Sequence, residues 1–345
     1  MTTGVGFLGA AGIARKTWAA LHAAGLRVVI LGCRDVARGE TFVNECATIL
    51  NIPEADRPKV VGSYDDVVSH PDVSVVYIPL PVSFRDTWIR ACAANGKHVV
   101  CEKPPAHNAE QLEEWIELLA IKNLMFMDGT MLSHGKRIEH LQAQLPSLVG
   151  TIRHIHQEFC FTASPDDIRQ DPALEPMGAL GDLGWYAVRY AQHLLGAPKV
   201  VSATCERNEK GGITVVIALL QYPCGATQTF RVGLNSASTQ SMLVTGTIAC
   251  LSLDDFCLPV VSGTTSYDMH RNTIRSVGCG VPHERHGETI VLEEDSTFQE
   301  VQMWRDVTTV VTTVGHDRRW SALSLQTQKT LDAIVAALPP FEPKK

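Results

Sequence analysis

The sequence predicts a two-domain α/β protein, in which a doubly wound parallel sheet precedes an α+β domain with an open, mostly antiparallel sheet. The first roughly 130 residues alternate between short apolar runs and segments with helical spacing, which is typical of a parallel sheet buried on both faces. Later residues form consecutive strand-like runs separated by turn residues, which favours antiparallel pairing. The length of 345 residues also suits two domains, and we place them at residues 1–130 and 131–345.

The predicted strands of the first domain are short apolar runs, rich in Val, Ile and Met. They are Val5–Leu8, Val28–Leu31, Val73–Ile78, His98–Cys101 and Met125–Met127. The segments between them space their apolar residues as a helix does. These predicted helices are Ala14–Ala24, Arg38–Leu50, Phe84–Ala94 and Asn108–Lys122. Asn51–Pro58 is predicted to be a turn-rich connection, and Ser63–Val68 a short capped helix.

In the second domain the predicted strands follow one another closely. They are Thr151–Cys160, Val200–Cys205, Thr214–Gln221, Thr227–Val232, Gln240–Thr245 and Ile248–Leu253. A long helix is predicted at roughly Leu180–Leu195, and another at about Ser321–Leu338. The second of these ends just before two prolines, which cannot continue a helix.

Composition argues against several classes of protein. The net charge is −7 and the pI is near 6.0, so a basic surface for nucleic acid is not predicted. No apolar run approaches the roughly 18 residues that a membrane span needs, and residues 1–4 do not resemble a signal peptide. The ten cysteines are scattered without a Cys-x-x-Cys pair, which predicts neither a metal site nor a redox pair. We therefore expect a cytoplasmic protein without a nucleic-acid or membrane partner.

A candidate cofactor site follows the first strand, in the run Gly9-Ala10-Ala11-Gly12-Ile13-Ala14. A dinucleotide fingerprint needs a glycine for the tight turn, a small residue beneath the pyrophosphate and a third small residue for helix packing. Gly9, Ala11 and Ala14 fill these places, although glycine is usual where Ala11 stands. The run predicts a Rossmann domain that binds a nicotinamide dinucleotide, and the alternative is a tight turn that binds nothing.

The end of the second strand bears on the choice of cofactor. An acidic residue here binds the ribose of NAD, whereas an arginine accepts the 2′-phosphate of NADP. Cys33 is not acidic, and Arg34 and Asp35 follow it. Arg34 favours NADP, with NAD as the alternative. A simpler interpretation is that Arg34 and Asp35 only solvate the loop, with Asp35 capping the next helix.

Two short motifs carry candidate catalytic residues. Cys101-Glu102-Lys103-Pro104-Pro105 follows the apolar pair Val99-Val100 and is predicted to leave a buried strand. Asp182 and Tyr186 are four residues apart, so a helix would place them on one face. A lysine together with an Asp/Tyr pair can move a proton. With a dinucleotide site in the same chain, these residues predict hydride transfer coupled to proton transfer.

These motifs resemble a known family. Gly9–Ala14, Glu102-Lys103-Pro104 and Gly178–Tyr186 are similar, in order and rough spacing, to motifs of the glucose–fructose oxidoreductase, inositol dehydrogenase and MocA family. The resemblance covers nearly the whole chain. Met127–Met131 with His134, and Gly178–Arg189, look closer to a subgroup of plant and microbial NAD(P)-binding oxidoreductases. That subgroup is similar to dimeric trans-dihydrodiol dehydrogenases and to xylose dehydrogenases.

The resemblance implies roles for particular residues. Lys103 matches the lysine beside the nicotinamide, Tyr186 the group that donates or takes the substrate proton, and Asp182 its acidic partner. The loop over the nicotinamide matches Pro79, Leu80 and Pro81, while Glu102 and Trp185 are further predicted contacts. The alternative for Trp185 is a place in the core. Arg85 stands where relatives often have histidine, which leaves the cofactor contacts or the charge of the substrate open.

The implied activity is reversible hydride transfer between NADP(H) and a secondary alcohol or carbonyl of a sugar, polyol or cyclic diol. The resemblance also implies a homodimer that forms through the exposed sheet face. One alternative is a non-catalytic cofactor-binding sensor, and another is an enzyme that uses the nicotinamide only transiently. Proline lowers the cost of a cis peptide, and relatives resembling this loop often carry one. We therefore predict a cis bond between Lys103 and Pro104.

Overall fold

The computed structural model describes residues 3–259, 264–274, 277–281, 283–293, 299–313 and 317–341. It divides into two compact units. The first comprises Met1–His134, Ala173–Pro176 and Phe298–Lys329, and the second comprises Gly135–Pro172, Met177–Thr297 and Thr330–Lys345. The units do not follow a single boundary in the chain, because two later segments belong to the first unit.

The first unit contains a six-stranded parallel sheet in the order β3-β2-β1-β4-β5-β6. Its strands are β1 Gly4–Leu8, β2 Arg27–Gly32, β3 Lys59–Val61, β4 Val75–Ile78, β5 His98–Cys101 and β6 Phe126–Asp128. The doubly wound parallel sheet is thus confirmed, and the short strand β3 adds to the predicted strands. The strand order reverses between β1 and β4, and ligands of such sheets bind outside the carboxyl ends at that point.

Helices belong to both units, and several of them connect the strands of the parallel sheet. In the described ranges they are α1 Gly12–Ala23, α2 Val36–Ile49, α3 Tyr64–Val68, α4 Arg85–Ala94, α5 Ala109–Ile121, α6 Lys136–Val149, α7 Trp185–Leu195, α8 Gln299–Thr313 and α9 Arg318–Ala337. The predicted cap of α3 is confirmed, because the Ser63 side chain accepts a hydrogen bond from the backbone N–H of Asp65 at 3.1 Å. Asn108 caps α5 in the same way, accepting from the backbone N–H of Gln111 at 2.9 Å.

Late segments of the chain pack into the first unit through the predicted motif that ends at His134. Nδ1 of His134 lies 2.6 Å from an Asp306 carboxylate oxygen on α8, and its ring stacks on Trp320 of α9 with centroids 4.0 Å apart. The hydroxyl of Ser324 donates to the Asp128 carboxylate at the end of β6. The motif therefore anchors α8 and the first part of α9 to the parallel sheet.

The second unit contains an eight-stranded sheet in the order β14-β13-β12-β11-β7-β10-β9-β8. Its strands are β7 Ile152–Thr162, β8 Lys199–Arg207, β9 Ile213–Gln221, β10 Thr227–Gly233, β11 Asn235–Gly246, β12 Cys250–Leu253, β13 Thr264–Ile274 and β14 His283–Glu293. Neighbouring strands pair antiparallel except β7 and β10, which are parallel. The mostly antiparallel sheet is confirmed, and β13 and β14 extend it beyond the prediction.

The predicted helix at Leu180–Leu195 has two parts. Residues Leu180–Gly184 form a π-helical turn, and α7 continues from Trp185 to Leu195. A Cβ added at Gly184 would lie 2.7 Å from a methyl carbon of Leu180, so a larger residue here would require the Leu180 side chain to move. Single π-helical turns within helices are rare and frequently lie at functional sites. This turn contains Asp182, and Tyr186 is the second residue of the helix that follows it.

Candidate functional site

The fingerprint turn between β1 and α1 has the conformation that dinucleotide binding needs. Gly9 has a φ of +110°, which other residues rarely adopt, and its N–H donates to the carbonyl of Gly32 at 2.8 Å. Ala11 is the N-cap of α1 without a side-chain capping bond, and the first turn of α1 holds no acidic residue. A Cβ added at Gly12 would have no neighbour within 4 Å. This helix end is open to an anionic group, so the residues present fit a pyrophosphate.

The remaining fingerprint residues divide between core and surface. Ala10 and Ala14 are buried, whereas the Ile13 side chain is 46% exposed. Full burial of Ala14 against the sheet is what the third fingerprint position requires, because a larger side chain would push α1 away from β1.

Beyond β2, the structure brings together two arginines where the sequence predicted one. Arg34 and Asp35 are exposed, and Asp35 caps α2 by accepting from the backbone N–H of Arg38 at 3.1 Å. The Arg38 side chain turns back and donates through Nη2 to the Ala10 carbonyl at 3.0 Å. Burial raises the pKa of Tyr64, while the guanidinium charges of Arg34 and Arg38 oppose this rise. Both arginines therefore lie near the fingerprint turn.

The spacing of the sequence did not predict the contact of Arg38, because Arg38 and its partner Ala10 follow different strands. The available signal was its position in the first turn of the helix that follows β2. A long cation there can reach the loop after the neighbouring strand, but spacing alone does not tell which way it turns.

At the carboxyl end of β5, the Lys103–Pro104 peptide bond is cis, which confirms the prediction. The preceding residue, Glu102, belongs to a partly buried hydrogen-bond chain. The Tyr77 hydroxyl donates to Glu102 Oε1 at 2.7 Å and accepts from the Thr17 hydroxyl at 3.1 Å. A Cβ at Gly129 would lie 3.0 Å from the same carboxylate oxygen, so glycine leaves the space that Glu102 occupies.

The environment of Glu102 opposes its ionisation. Burial raises the pKa of Glu102, and the hydrogen bond from Tyr77 and the charges of Lys103 and Arg85 only partly offset this effect. Burial also raises the pKa of Tyr77, and the Glu102 carboxylate adds to that rise. Both effects favour the protonated Tyr77 hydroxyl, which donates to Glu102, the residue that precedes Lys103.

Arg85 lies at the start of α4, next to the predicted loop of Pro79, Leu80 and Pro81. Its side chain is buried and donates to main-chain carbonyls, including that of Leu80 at 2.7 Å and that of Glu102 at 2.5 Å. The sequence alone left open whether an arginine here would alter the cofactor contacts or the charge of the substrate. The structure shows its guanidinium bound to the protein main chain.

In the second unit, Asp182 forms an ion pair with Arg169, with Oδ2 and Nε 2.8 Å apart. Arg169 also bonds to Asp167, and although burial lowers the pKa of Arg169, these two carboxylates raise it overall. Arg169 lies 13 residues before Asp182, outside any helical spacing that could have predicted the pair. The ion pair fixes one oxygen of the Asp182 carboxylate.

Tyr186 and Trp185 occupy different environments on α7. Tyr186 is 8% exposed, with its ring centroid 6.0 Å from that of Phe159 on β7. Trp185 has no exposed surface, and the Arg189 guanidinium lies 5.2 Å from its ring centroid. Its burial favours the alternative of a core residue, and its contact with a cofactor stays a prediction. The catalytic roles of Lys103, Asp182 and Tyr186 also stay predictions.

Comparison with known proteins decides the family. A model described as an oxidoreductase family with an NAD-binding Rossmann fold matches residues 3–130, and the GFO/IDH/MocA C-terminal domain matches residues 147–252. The chain belongs to the GFO/IDH/MocA oxidoreductase family. The resemblance found in the sequence is thus confirmed, and with it the assignment of NAD(P) as the cofactor class.

Relatives of this GFO/IDH/MocA protein include sugar and diol dehydrogenases. D-xylose 1-dehydrogenase (NADP(+)) 2 of Haloferax volcanii is 31% identical over 68% of this chain and 70% of its own. Trans-1,2-dihydrobenzene-1,2-diol dehydrogenase of Bos taurus is 29% identical over 67% of each chain. Among solved structures, a 3-ketoreductase from Actinomadura kijaniata in complex with NADP and TDP-benzene has a TM-score of 0.85, at 25% identity over 98% of each chain.

The helices in the described ranges include none that is long and apolar enough to cross a membrane.

Proposed function

We propose that this protein catalyses reversible hydride transfer between NADP(H) and a secondary alcohol or carbonyl of a sugar, polyol or cyclic diol. The observation that carries the proposal is the place of Lys103. It follows β5 at the carboxyl edge of the same parallel sheet whose β1–α1 turn forms the fingerprint. Lysine at that edge, beside the point where strand order reverses, is suited to contact both a nicotinamide and its substrate.

The proposed chemistry separates a hydride from a proton. When bound, NADP⁺ accepts the hydride, and the substrate hydroxyl must lose a proton to a positioned group. We assign the Tyr186 hydroxyl to that transfer. Tyrosine has an ordinary pKa near about 10, and a positive charge beside it would favour the phenolate. Asp182, itself fixed by Arg169, would orient the tyrosine or the substrate.

Preference for NADP is part of the proposal. Cys33 contributes no carboxylate to repel a 2′-phosphate, and Arg34 and Arg38 supply two guanidinium groups near the fingerprint turn. The names of the Haloferax dehydrogenase and of the Actinomadura ketoreductase complex both include NADP.

A sensor without catalysis is the weaker interpretation, since the relatives are named as dehydrogenases and reductases. Variants of the Actinomadura ketoreductase were solved with one tyrosine replaced by phenylalanine, and with one lysine replaced by alanine. Tyr186, to which we assign the proton transfer, and Lys103, which we place at the nicotinamide, are of the same two residue types.

A homodimer and a cytoplasmic location complete the proposal. On the outward face of the eight-stranded sheet, Ile217 is 48% and Leu243 is 39% exposed, between buried neighbours on the same strands. Apolar side chains of this size on an open sheet face favour burial by a second copy. No disulfide joins any of the ten cysteines, all of which lie in the described ranges, and this suits a reducing compartment. Light scattering of the purified protein tests the dimer, and Ile217→Lys should shift it towards the monomer.

The test of function is a panel of sugars, polyols and cyclic diols, with absorbance followed at the band of the reduced nicotinamide for NADP⁺ and NAD⁺ separately. For an accepted substrate, Lys103→Ala should lower kcat by about 100-fold, the scale of a positioned proton-transfer group. Lys122→Ala, which changes an exposed lysine at the end of α5, is the matched control and should keep full activity. Failure of the unmodified protein both to bind NADPH and to oxidise any panel member would contradict the proposal.

A further inference from the structure

The side chain of Arg85 is almost completely buried, with 3% of its surface exposed. Its Nε donates to the carbonyl of Leu80 at 2.7 Å. Its Nη1 lies within hydrogen-bond distance of the carbonyls of Glu102, at 2.5 Å, of Pro105, at 3.2 Å, and of Pro104. A buried guanidinium is costly unless its donors are paired, and here the main chain supplies the acceptors.

These carbonyls belong to two separate loops. Leu80 follows β4, and residues 102–105 follow β5, which is the parallel neighbour of β4. The loops therefore leave the sheet side by side at its carboxyl edge. Arg85 joins them through one planar group, with Lys103 in the middle of the segment whose carbonyls it binds.

Prolines limit the backbone donors with which the two loops can bond to each other. Pro79, Pro81, Pro104 and Pro105 have no backbone N–H, so they cannot donate across the gap between the loops. Carbonyls buried at such a place need donors from a side chain or water. Arginine brings five N–H donors in a fixed plane and no acceptor, whereas a histidine has two ring nitrogens. A histidine at this position could not bind carbonyls in both loops to the same extent.

We propose that Arg85 is a positioning residue, which holds the loops after β4 and β5 together and thereby fixes the place of Lys103 for hydride transfer. The catalytic part of this inference rests on the function proposed above. The part that concerns the loops does not, because the contacts are present in the protein alone.

The experiment compares Arg85→Ala, Arg85→His and Arg85→Lys with Arg90→Ala. Arg90 lies on the same helix, and its ion pairs with Asp86 and Glu114 are partly exposed and away from the loops, which makes it the matched control. Hydrogen exchange in the cofactor-free protein reports the backbone amides of Leu80, Glu102 and Lys103. Steady-state kinetics and NADPH titration follow on the same preparations, and guanidinium chloride at low millimolar concentration is added to Arg85→Ala as a rescue.

We expect faster exchange at these amides in Arg85→Ala and Arg85→His, a smaller change in Arg85→Lys and none in Arg90→Ala. Misplacement of a reacting group by about 1 Å can cost about 100-fold in rate, so kcat of Arg85→Ala should fall by roughly that factor. The dissociation constant of NADPH should change by less than kcat does, because the fingerprint turn and the arginines that follow β2 do not depend on Arg85. Guanidinium should restore part of the lost kcat if the loss comes from the missing side chain. It would not restore activity that was lost through a general folding defect.

Unchanged exchange in folded Arg85→Ala, or unchanged kcat, would overturn the inference. If Arg85→Ala does not fold, the same measurements on Arg85→Lys decide the question, because this variant keeps the charge and one donor group. If the unmodified protein binds no NADPH and transfers no hydride, the proposed function fails and the catalytic role of Arg85 fails with it. Exchange at the loop amides then still decides whether Arg85 holds the loops.

Discussion

At the scale of single residues, the hydroxyl of Tyr186 is the group to which we assign proton transfer. Tyr186→Phe should lower kcat by about 100-fold, because it removes the transferring hydroxyl. The NADPH dissociation constant should stay the same, since the ring and its packing against Phe159 are kept. Tyr190→Phe, one turn further along α7, removes a hydroxyl outside the proposed site and serves as the control. Near-normal turnover by Tyr186→Phe would show that another group transfers the substrate proton.

Cofactor choice is also decided by individual residues. Arg34→Ala and Arg38→Ala should each weaken NADPH binding by about tenfold, because a hydrogen bond to a charged phosphate contributes about 1.5–3 kcal/mol. NADH binding should change little, since it has no 2′-phosphate. Titration calorimetry with both cofactors measures the ratio, and Arg27→Ala, at the opposite end of β2, is the control. Equal affinities of the unmodified protein for NADPH and NADH would contradict the predicted preference for NADPH.

At this scale, the sequence predicted candidate residues for the cofactor site but not the hydrogen-bond partners of their side chains. The fingerprint, Lys103 and the Asp182/Tyr186 spacing were visible because each is local in the chain. The contacts of Arg38 with Ala10 and of Arg85 with the two loops join residues from different loops, and no spacing rule predicts them.

At the scale of an element, the cap of α2 contributes to stability. Asp35 accepts from the N–H of Arg38, so Asp35→Ala should lower the free energy of unfolding by about 1 kcal/mol. Asp35→Asn keeps an oxygen acceptor and should lose only a few tenths of that. Urea denaturation of the two variants separates the capping bond from the charge. Equal losses in both would show that the charge, and not the cap, is what stabilises α2.

Elements were predicted well where their pattern is strong and local. The buried parallel strands are short apolar runs, and their boundaries match within one or two residues. Strand β3 has only three residues, too few to show a period. Helix α8 ends in Thr308-Thr309-Val310-Val311-Thr312-Thr313, β-branched residues that favour strands, and its helical state depends on packing through buried residues such as Trp304 and Val307. The π-helical turn at Leu180–Gly184 likewise has no period of its own in the sequence.

At the scale of the whole molecule, Glu102 should make stability depend on pH. Burial raises the pKa of Glu102 above its ordinary 4.5. Between pH 4.5 and that raised pKa, the folded protein holds a proton that the unfolded chain has released. The free energy of unfolding therefore falls as pH rises through that window. Glu102→Gln cannot titrate and should lose this dependence.

Urea denaturation of both proteins from pH 4 to 7 measures the effect. The stability of Glu102→Gln relative to the unmodified protein should rise with pH. Glu117→Gln, which changes an exposed carboxylate on α5, should show no such trend. A difference that stays constant across the range would mean that Glu102 ionises in the folded protein as it does in the unfolded chain.

The first unit draws on both ends of the chain, and this affects its synthesis. Glu300 of α8 lies 2.5 Å from the ammonium of Lys16 on α1, and Trp304 packs edge-on against Tyr77 of β4 with ring centroids 6.1 Å apart. A ribosome makes α8 and the first part of α9 only after nearly all of the second unit has been translated. N-terminal domains usually fold before the next domain has been synthesised, but the first unit cannot complete its fold at that stage. The nascent parallel sheet must wait, with the surface around Tyr77 uncovered, until α8 and the first part of α9 have been made.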